Sequence, residues 1–278
     1  MKQAKVFVLR TAGTNCDYET AHAFKKVGAE TTSIHINQWL KNKALIHDFH
    51  ILALPGGFSY GDDIAAGVIL ATELKYHLVD DIIKFIDDGK LVLGICNGFQ
   101  VLIKMGLLPG LALQALVKKN HVEQPCINLS QESTLTWNDS GHYEDRWVYL
   151  KKVSKRCVFT KNWDRPIVYL PIAHAEGKFI PENNQVMKQL KANDQIVFQY
   201  VNEQGRLARK YPANPNGSMS GIAGICDPTG RVLGMMPHPE RYSEIYNHPR
   251  WTREKPKEPT DGMLIFHNAV SYVKSTLL

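Results

Sequence analysis

The sequence predicts an α/β fold: a mostly parallel central sheet, helices on both faces, and antiparallel strands added in the second half. Three observations carry this. Short apolar runs without clean alternation recur through the first hundred residues, which is how strands covered on both faces read. Helically spaced stretches lie between them, as in βαβ units. From Arg146 onward the strand-like runs follow one another with turn signals between them, which is how hairpins or added antiparallel strands read.

In order, "AKVFVLR" is the first strand. Gly13 and Asn15 make a turn, Asp17 is the expected N-cap, and Ala21, Phe24 and Val27 recur at helical spacing until Gly28. "ETTSIHI" is the second strand, and "HILALPGG" the third, broken by Pro55. Asp80 to Asp88 reads as a helix with Ile82, Ile83, Phe85 and Ile86 inward. "KLVLGI" is the fourth strand, and a helix starts near Gly98 and runs to Met105. Beyond it, "RWVYLKKV", "PIVYLPIAH", "QIVFQYV", "SGIAGICD" and "RVLGMMPH" are the added strands, with turns at "NPNG" and "DPTG". "REKPKEPTDG", 253–262, reads as an exposed loop, and a helix from Gly262 to Leu277 follows. Residues 1–278 are expected to form one domain.

Composition narrows the function. The formal charge of +6 is spread along the chain without interleaved stacking aromatics, so no nucleic-acid partner is expected. The apolar run Val6 to Leu9 is too short for a signal-peptide core, and "IAAGVILA" is too short to cross a bilayer. A cytoplasmic protein without a membrane partner is expected. Five scattered cysteines, at 16, 96, 126, 157 and 226, form no CxxC pair, which argues against a disulfide framework or structural zinc. There is no phosphate-binding loop, no dinucleotide fingerprint and no H-E-x-x-H motif. His47 and His50 lack an obvious third ligand, so no metal is expected.

Three stretches could carry chemistry. "GICNG" sets Cys96 between Gly94 and Gly98, after a strand and before a helix. This is the cysteine form of the nucleophile elbow, in which small residues at minus two and plus two let backbone approach closely. The N-terminus of the following helix favours an anion at the sulfur. On these five residues alone, an inert packing cysteine reads equally well. "PHPER" offers His238 and Glu240 two apart, between prolines that restrict the backbone; they would serve as base and orienter. Standing alone, it is a turn with an exposed glutamate. "PGGFSYGDD" places Gly56 and Gly57 after a strand, where side-chain-free backbone could offer N–H groups to an oxyanion. An ordinary glycine turn fits those two residues as well. Cys16, Cys126, Cys157 and Cys226 lack an elbow and read as packing or loop cysteines.

Taken together, "PGGFSYGD", "GICNGFQ" and "PHPER" resemble a class I glutamine amidotransferase domain. With "RTAGTNCDYETAHAF", "PIAHAEGKF" and "YPANPNGSMSGIAGICDPTGR" they closely resemble the glutaminase subunits of phosphoribosylformylglycinamidine synthase, from about Lys5 to Arg241. "RTAGTNCD" stands where that family often has "RFPGTNCD", and the 121–146 and 242–262 segments look longer than in its shortest members. The resemblance implies a flavodoxin-like amidotransferase fold and hydrolysis of L-glutamine to glutamate and ammonia. It implies Cys96 as nucleophile, His238 as acid and base, and Glu240 as orienter. It also implies Gly57 and Asn97 as oxyanion donors and Gln100 as a substrate contact. His174 and Glu176, in "PIAHAEG", are a candidate site special to that family; on residue chemistry alone, a satisfied strand-end histidine reads as well. The ammonia would pass to a synthetase subunit that holds ATP and magnesium, with a small accessory subunit expected in the complex, and no cofactor is expected in this chain. Two other readings stay open here: a cysteine hydrolase of another γ-glutamyl or peptide bond, and a catalytically silent binding module on the same fold.

Overall fold

The computed structural model describes residues 2–118 and 129–278, with only the backbone described for 115–118. Cys126 and the first part of the 121–146 segment lie outside the described residues. In chain order the elements are β1 (Lys5–Arg10), α1 (Asp17–Lys26), β2 (Glu30–His35), α2 (Ile36–Lys41), β3 (Ile51–Leu54), α3 (Val68–His77), α4 (Val79–Asp87), β4 (Leu91–Ile95), α5 (Asn97–Met105) and α6 (Leu111–Lys118). Then come β5 (Ser133–Thr136), β6 (Glu144–Lys152), β7 (Ile167–His174), β8 (Lys178–Pro181), α7 (Asn184–Ala192), β9 (Ile196–Val201), β10 (Ile222–Cys226), β11 (Val232–Met235), α8 (Trp251–Glu254) and α9 (Met263–Thr276).

Nine strands form one sheet in the order β2-β1-β3-β4-β11-β10-β9-β6-β7. The first five are mutually parallel, and the last four attach antiparallel. Strands β3, β4, β10 and β11 are buried at every position, so both faces of the sheet are covered there, and this is why those runs do not alternate. Helix α1 packs on α9, with Phe24 edge-on to Phe266 at 4.8 Å. Phe7 of β1 stacks against Trp39 at 4.9 Å.

The structure refines the sequence reading at several points. "RVLGMM" forms β11, which pairs antiparallel with β10 as read and, on its other side, lies parallel to β4 in the middle of the sheet. The run "IAAGVILA" leads into helix α3, entered from Gly67 in a left-handed conformation (φ 74). Asp17 does not cap α1; it opens the helix and pairs with Arg10 at 2.6 Å. The 253–262 segment is mostly exposed over 253–258, as read, but its end is anchored: Asp261 binds Arg165 at 2.8 Å and accepts from the Tyr169 N–H, and Thr260 is fully buried.

Register decides where the chemistry can gather. Gly94 lies beside Gly234 and Ile95 beside Met235. Cys96 and the turn to His238 therefore leave neighbouring parallel strands at the same C-terminal edge, with Gly56 just after β3 alongside. Crevices at the carboxyl ends of parallel strands are where open α/β sheets place their sites.

Candidate active site

The elbow at Cys96 exists and its steric cause is visible. Cys96 has φ 50 and ψ −104, then α5 begins at Asn97. A positive φ at a residue with a side chain costs on the order of 1–3 kcal/mol, and such strain persists only where the surroundings hold it. Here the Cys96 N–H donates to the Met235 carbonyl at 2.8 Å. The flanking glycines are required by close approach. A Cβ on Gly98 would stand 2.0 Å from the Leu54 carbonyl oxygen, and one on Gly94 would stand 2.7 Å from the Gly98 oxygen. Asn97 opens α5, so its N–H is among the first-turn donors that no intrahelical carbonyl can meet.

His238 leaves β11 on a backbone held by its own N–H, which donates to the Pro171 carbonyl at 2.8 Å. Its Nδ1 meets Glu240 Oε1 at 2.7 Å, with both side chains buried. Burial alone would lower the pKa of His238. The Glu240 carboxylate and the Cys96 sulfur outweigh it and hold the imidazole well above its usual value. The ring is therefore charged at neutral pH. Its Nε2 makes no hydrogen bond among the described residues, although the sulfur is near enough to raise the ring's pKa.

The glycine loop after β3 packs on this histidine. A Cβ on Gly56 would stand 2.7 Å from His238 Cε1, and Gly57 has φ 139 with Asn15 and Gly13 backbone where a side chain would go. The loop is braced from the turn after β1 by the Cys16 N–H donating to the Gly56 carbonyl and the Phe58 N–H donating to the Gly13 carbonyl. Asn97 clamps it to α5: its Nδ2 donates to Asp62 at 3.1 Å, and its Oδ1 accepts from the Ser59 N–H.

Gln100 is buried one turn into α5. Its Oε1 accepts from Asn97 at 3.0 Å and its Nε2 donates to the Glu176 carbonyl at 2.6 Å. An amide has a second lone pair and a second N–H beyond those. Glu176 and His174 thus do reach this neighbourhood. The Glu176 carboxylate accepts from the Ala66 N–H and lies near Asp62 and Lys104. Burial pulls the Lys104 ammonium down and pushes Asp62 up. His174 is 2 % exposed. Burial, then the charge of His238, pushes its pKa down to about 3.

Sequence reasoning missed two neighbours. Cys16, read as a packing or loop cysteine, lies 3.9 Å from His238 Nδ1 and accepts from Arg241 at 3.2 Å. Burial pushes its thiol up, so it stays protonated at neutral pH. Cys16, His238 and Glu240 are the one donor group among the described residues close enough to share an ion. The Arg241 guanidinium on that sulfur opposes a cation there, and Glu240 is already engaged with the imidazole. Tyr143 was also missed. Its pKa is raised by burial and by the charge of Cys96, and its ring stacks on Phe58 at 6.3 Å.

A strained cysteine at a parallel strand end, with a buried His–Glu pair just after the next strand and a glycine loop after the third, can supply a nucleophile, a base with its orienter, and backbone donors for an oxyanion. Comparison with known families agrees. The model of the CobB/CobQ-like glutamine amidotransferase domain matches residues 3–273. The chain belongs to this glutamine amidotransferase family. Among curated relatives, the phosphoribosylformylglycinamidine synthase subunit PurQ of Dehalococcoides mccartyi is 43% identical over 275 residues, covering 99% of both chains. The subunit of that name from Archaeoglobus fulgidus is 42% identical, covering 98% of both chains. A chain of the solved PurLQS structure from Thermotoga maritima superposes with a TM-score of 0.70 at 28% identity, covering 98% of this chain and all of that one. The amidotransferase fold expected from the motifs is thus the fold found. Among the described residues, no helix of this amidotransferase is long and apolar enough to cross a membrane.

Proposed function

We propose that this chain is the glutaminase subunit of phosphoribosylformylglycinamidine synthase, acting in purine biosynthesis. The observation that carries the catalytic part is the meeting of strained Cys96 with the buried His238–Glu240 pair across two adjacent parallel strands. Near-complete alignment with relatives bearing that subunit name supports the biological setting.

The residues divide the chemistry as follows. The Cys96 thiolate attacks the side-chain amide carbon of glutamine and a carbon–sulfur bond forms. The oxyanion meets the N–H groups of Gly57 and Asn97 at the end of the glycine loop and the start of α5. Charged His238 gives its proton to the amide nitrogen, the carbon–nitrogen bond breaks, and ammonia leaves. Neutral His238 then takes a proton from water, whose oxygen attacks the thioester. Glutamate departs and the thiolate and imidazolium are restored. Glu240 keeps the imidazole oriented and stabilises its charged form. Gln100 contacts the substrate through the amide positions its protein partners leave over.

The ammonia passes to a synthetase subunit that carries ATP and magnesium, with a small accessory subunit completing the assembly. There, phosphate activates the amide oxygen of formylglycinamide ribonucleotide, and ammonia displaces it to form the amidine. This chain has no phosphate-binding loop motif in its sequence, and we place no cofactor on it. The test is the Cys96→Ala chain assembled with a candidate synthetase. Amidine formation with glutamine is lost while formation with added ammonium salt is retained. Loss of both, or retention of both, contradicts the proposal.

A further inference from the structure

One buried group in the site has no task in the scheme above. His174 closes β7, whose carbonyls line the triad: Pro171 accepts from the His238 N–H, and the Ala173 carbonyl oxygen lies 3.6 Å from Cys96 Sγ. His174 is the next residue, near enough to His238 to feel its charge. Its protonation is dictated by its surroundings. Asn138 Nδ2 donates to two backbone carbonyls, those of His142 at 2.9 Å and His174 at 2.8 Å. The amide orientation is therefore set, and Asn138 Oδ1 faces the ring as an acceptor. That oxygen takes the Gly177 N–H and His174 Nδ1, each at 3.1 Å. An acceptor opposite Nδ1 requires the proton on Nδ1, so Nε2 carries a bare lone pair.

That lone pair is buried and meets no donor among the described residues. A buried, unpartnered acceptor is costly and calls for a ligand. Room for the ring is also built in: a Cβ on Gly177 would stand 2.3 Å from His174 Cε1. The missing ligand must supply an N–H or O–H and no positive charge, because charged His238 is close by. In the glutaminase reaction, the group that carries N–H throughout and ends neutral is the departing nitrogen.

Building on the glutaminase reading, we propose that His174 Nε2 is the acceptor for the leaving nitrogen, taking an N–H of the glutamine carboxamide and then an N–H of the ammonia formed from it. No proton moves to His174. The proton that completes ammonia comes from His238, while the carbon–sulfur bond has formed and the carbon–nitrogen bond breaks. An acceptor that cannot itself be protonated near neutral pH leaves ammonia uncharged, and only uncharged ammonia is a nucleophile for the next step.

The test compares two substrates in the full chain, assayed alone and with the synthetase subunit: glutamine and glutamate γ-methyl ester. The ester acylates the same sulfur, but its leaving oxygen has no hydrogen to donate. In His174→Ala the ratio of kcat/KM for glutamine to that for the ester falls about tenfold, the scale of one lost hydrogen bond. His174→Phe, which fills the space without an acceptor, gives the same result and serves if the alanine chain fails to fold. A ratio unchanged from the unsubstituted chain, whether both substrates suffer equally or neither does, overturns the inference and leaves the glutaminase reading intact. An unsubstituted chain that hydrolyses neither substrate overturns that reading and the inference with it.

Discussion

Gly98→Ala is the sharpest probe of the elbow. The added Cβ would stand 2.0 Å from the Leu54 carbonyl oxygen, where ordinary contact begins near 3.4 Å. Helix α5 must then move away from β3 by an amount approaching that 1.4 Å difference. The obstacle is backbone of a fully buried strand, so no side chain can swing aside. Overpacking of this kind costs about 1–3 kcal/mol. Alanine offsets about 1 kcal/mol of that through its better helix propensity. The steric effect wins, and the net loss is up to about 2 kcal/mol, which lowers the melting temperature by up to about 8 °C in a chain of this size. Activity suffers more. Cys96 immediately precedes α5 and moves with it, and a displacement of about 1 Å at a reacting atom costs on the order of a hundredfold. Thermal unfolding and steady-state glutamine hydrolysis measure the two effects. A variant that melts at or above the unsubstituted temperature with undiminished kcat/KM refutes the steric account of the elbow.

Two further outcomes follow from the buried histidines. His238 is held charged well above the usual value of 6.5, so the general acid is present below that raised pKa and lost as pH rises through it; in Glu240→Gln the alkaline limb of kcat/KM moves to lower pH, and an unmoved limb contradicts the role given to Glu240. His174 has its pKa lowered from 6.5 to about 3, so between those values the unfolded chain binds one proton more and stability falls as pH drops. The slope is about 1.4 kcal/mol per pH unit, and about 5 kcal/mol in all is an upper bound. Urea unfolding of His174→Phe at pH 6 and pH 5 therefore shows a loss smaller by about 1 kcal/mol than in the unsubstituted chain; equal losses show that His174 can take up a proton while folded.

Much of this was legible in the sequence, for definite reasons. Strands buried on both faces read as unbroken apolar runs, so β1, β3 and β4 were plain. The elbow was plain because Gly94 and Gly98 bracket Cys96 at the spacing close approach demands. β11 carries the same unbroken run, "VLGM", buried at every position, and that run was the available signal that it lies inside the sheet. It was masked by the hairpin-like turn "DPTG" just before it. α3 was hidden because its apolar residues do not keep to one face and no side chain caps its start. α7 did leave a trace: Asn183 caps it with two N–H bonds, and Val186, Met187 and Leu190 follow at helical spacing. Cys16 could not be found. It reaches His238 across 222 positions, and its surrounding sequence shows only a turn and a helix start. The lone pair of His174 likewise depends on Asn138, 36 residues away in sequence, whose own orientation is set by two carbonyls.

The central claim is that Cys96, and not the other buried thiol beside His238, is the nucleophile that takes up glutamine. A glutamine-analogue electrophile distinguishes them, followed by peptide mapping of the modified chain by mass spectrometry. One adduct per chain is predicted, on the peptide carrying Cys96, blocked by excess glutamine and abolished in Cys96→Ala, while Cys16 stays unmodified. An adduct on Cys16, or none on Cys96 when the chain is assembled with its synthetase, would contradict the account.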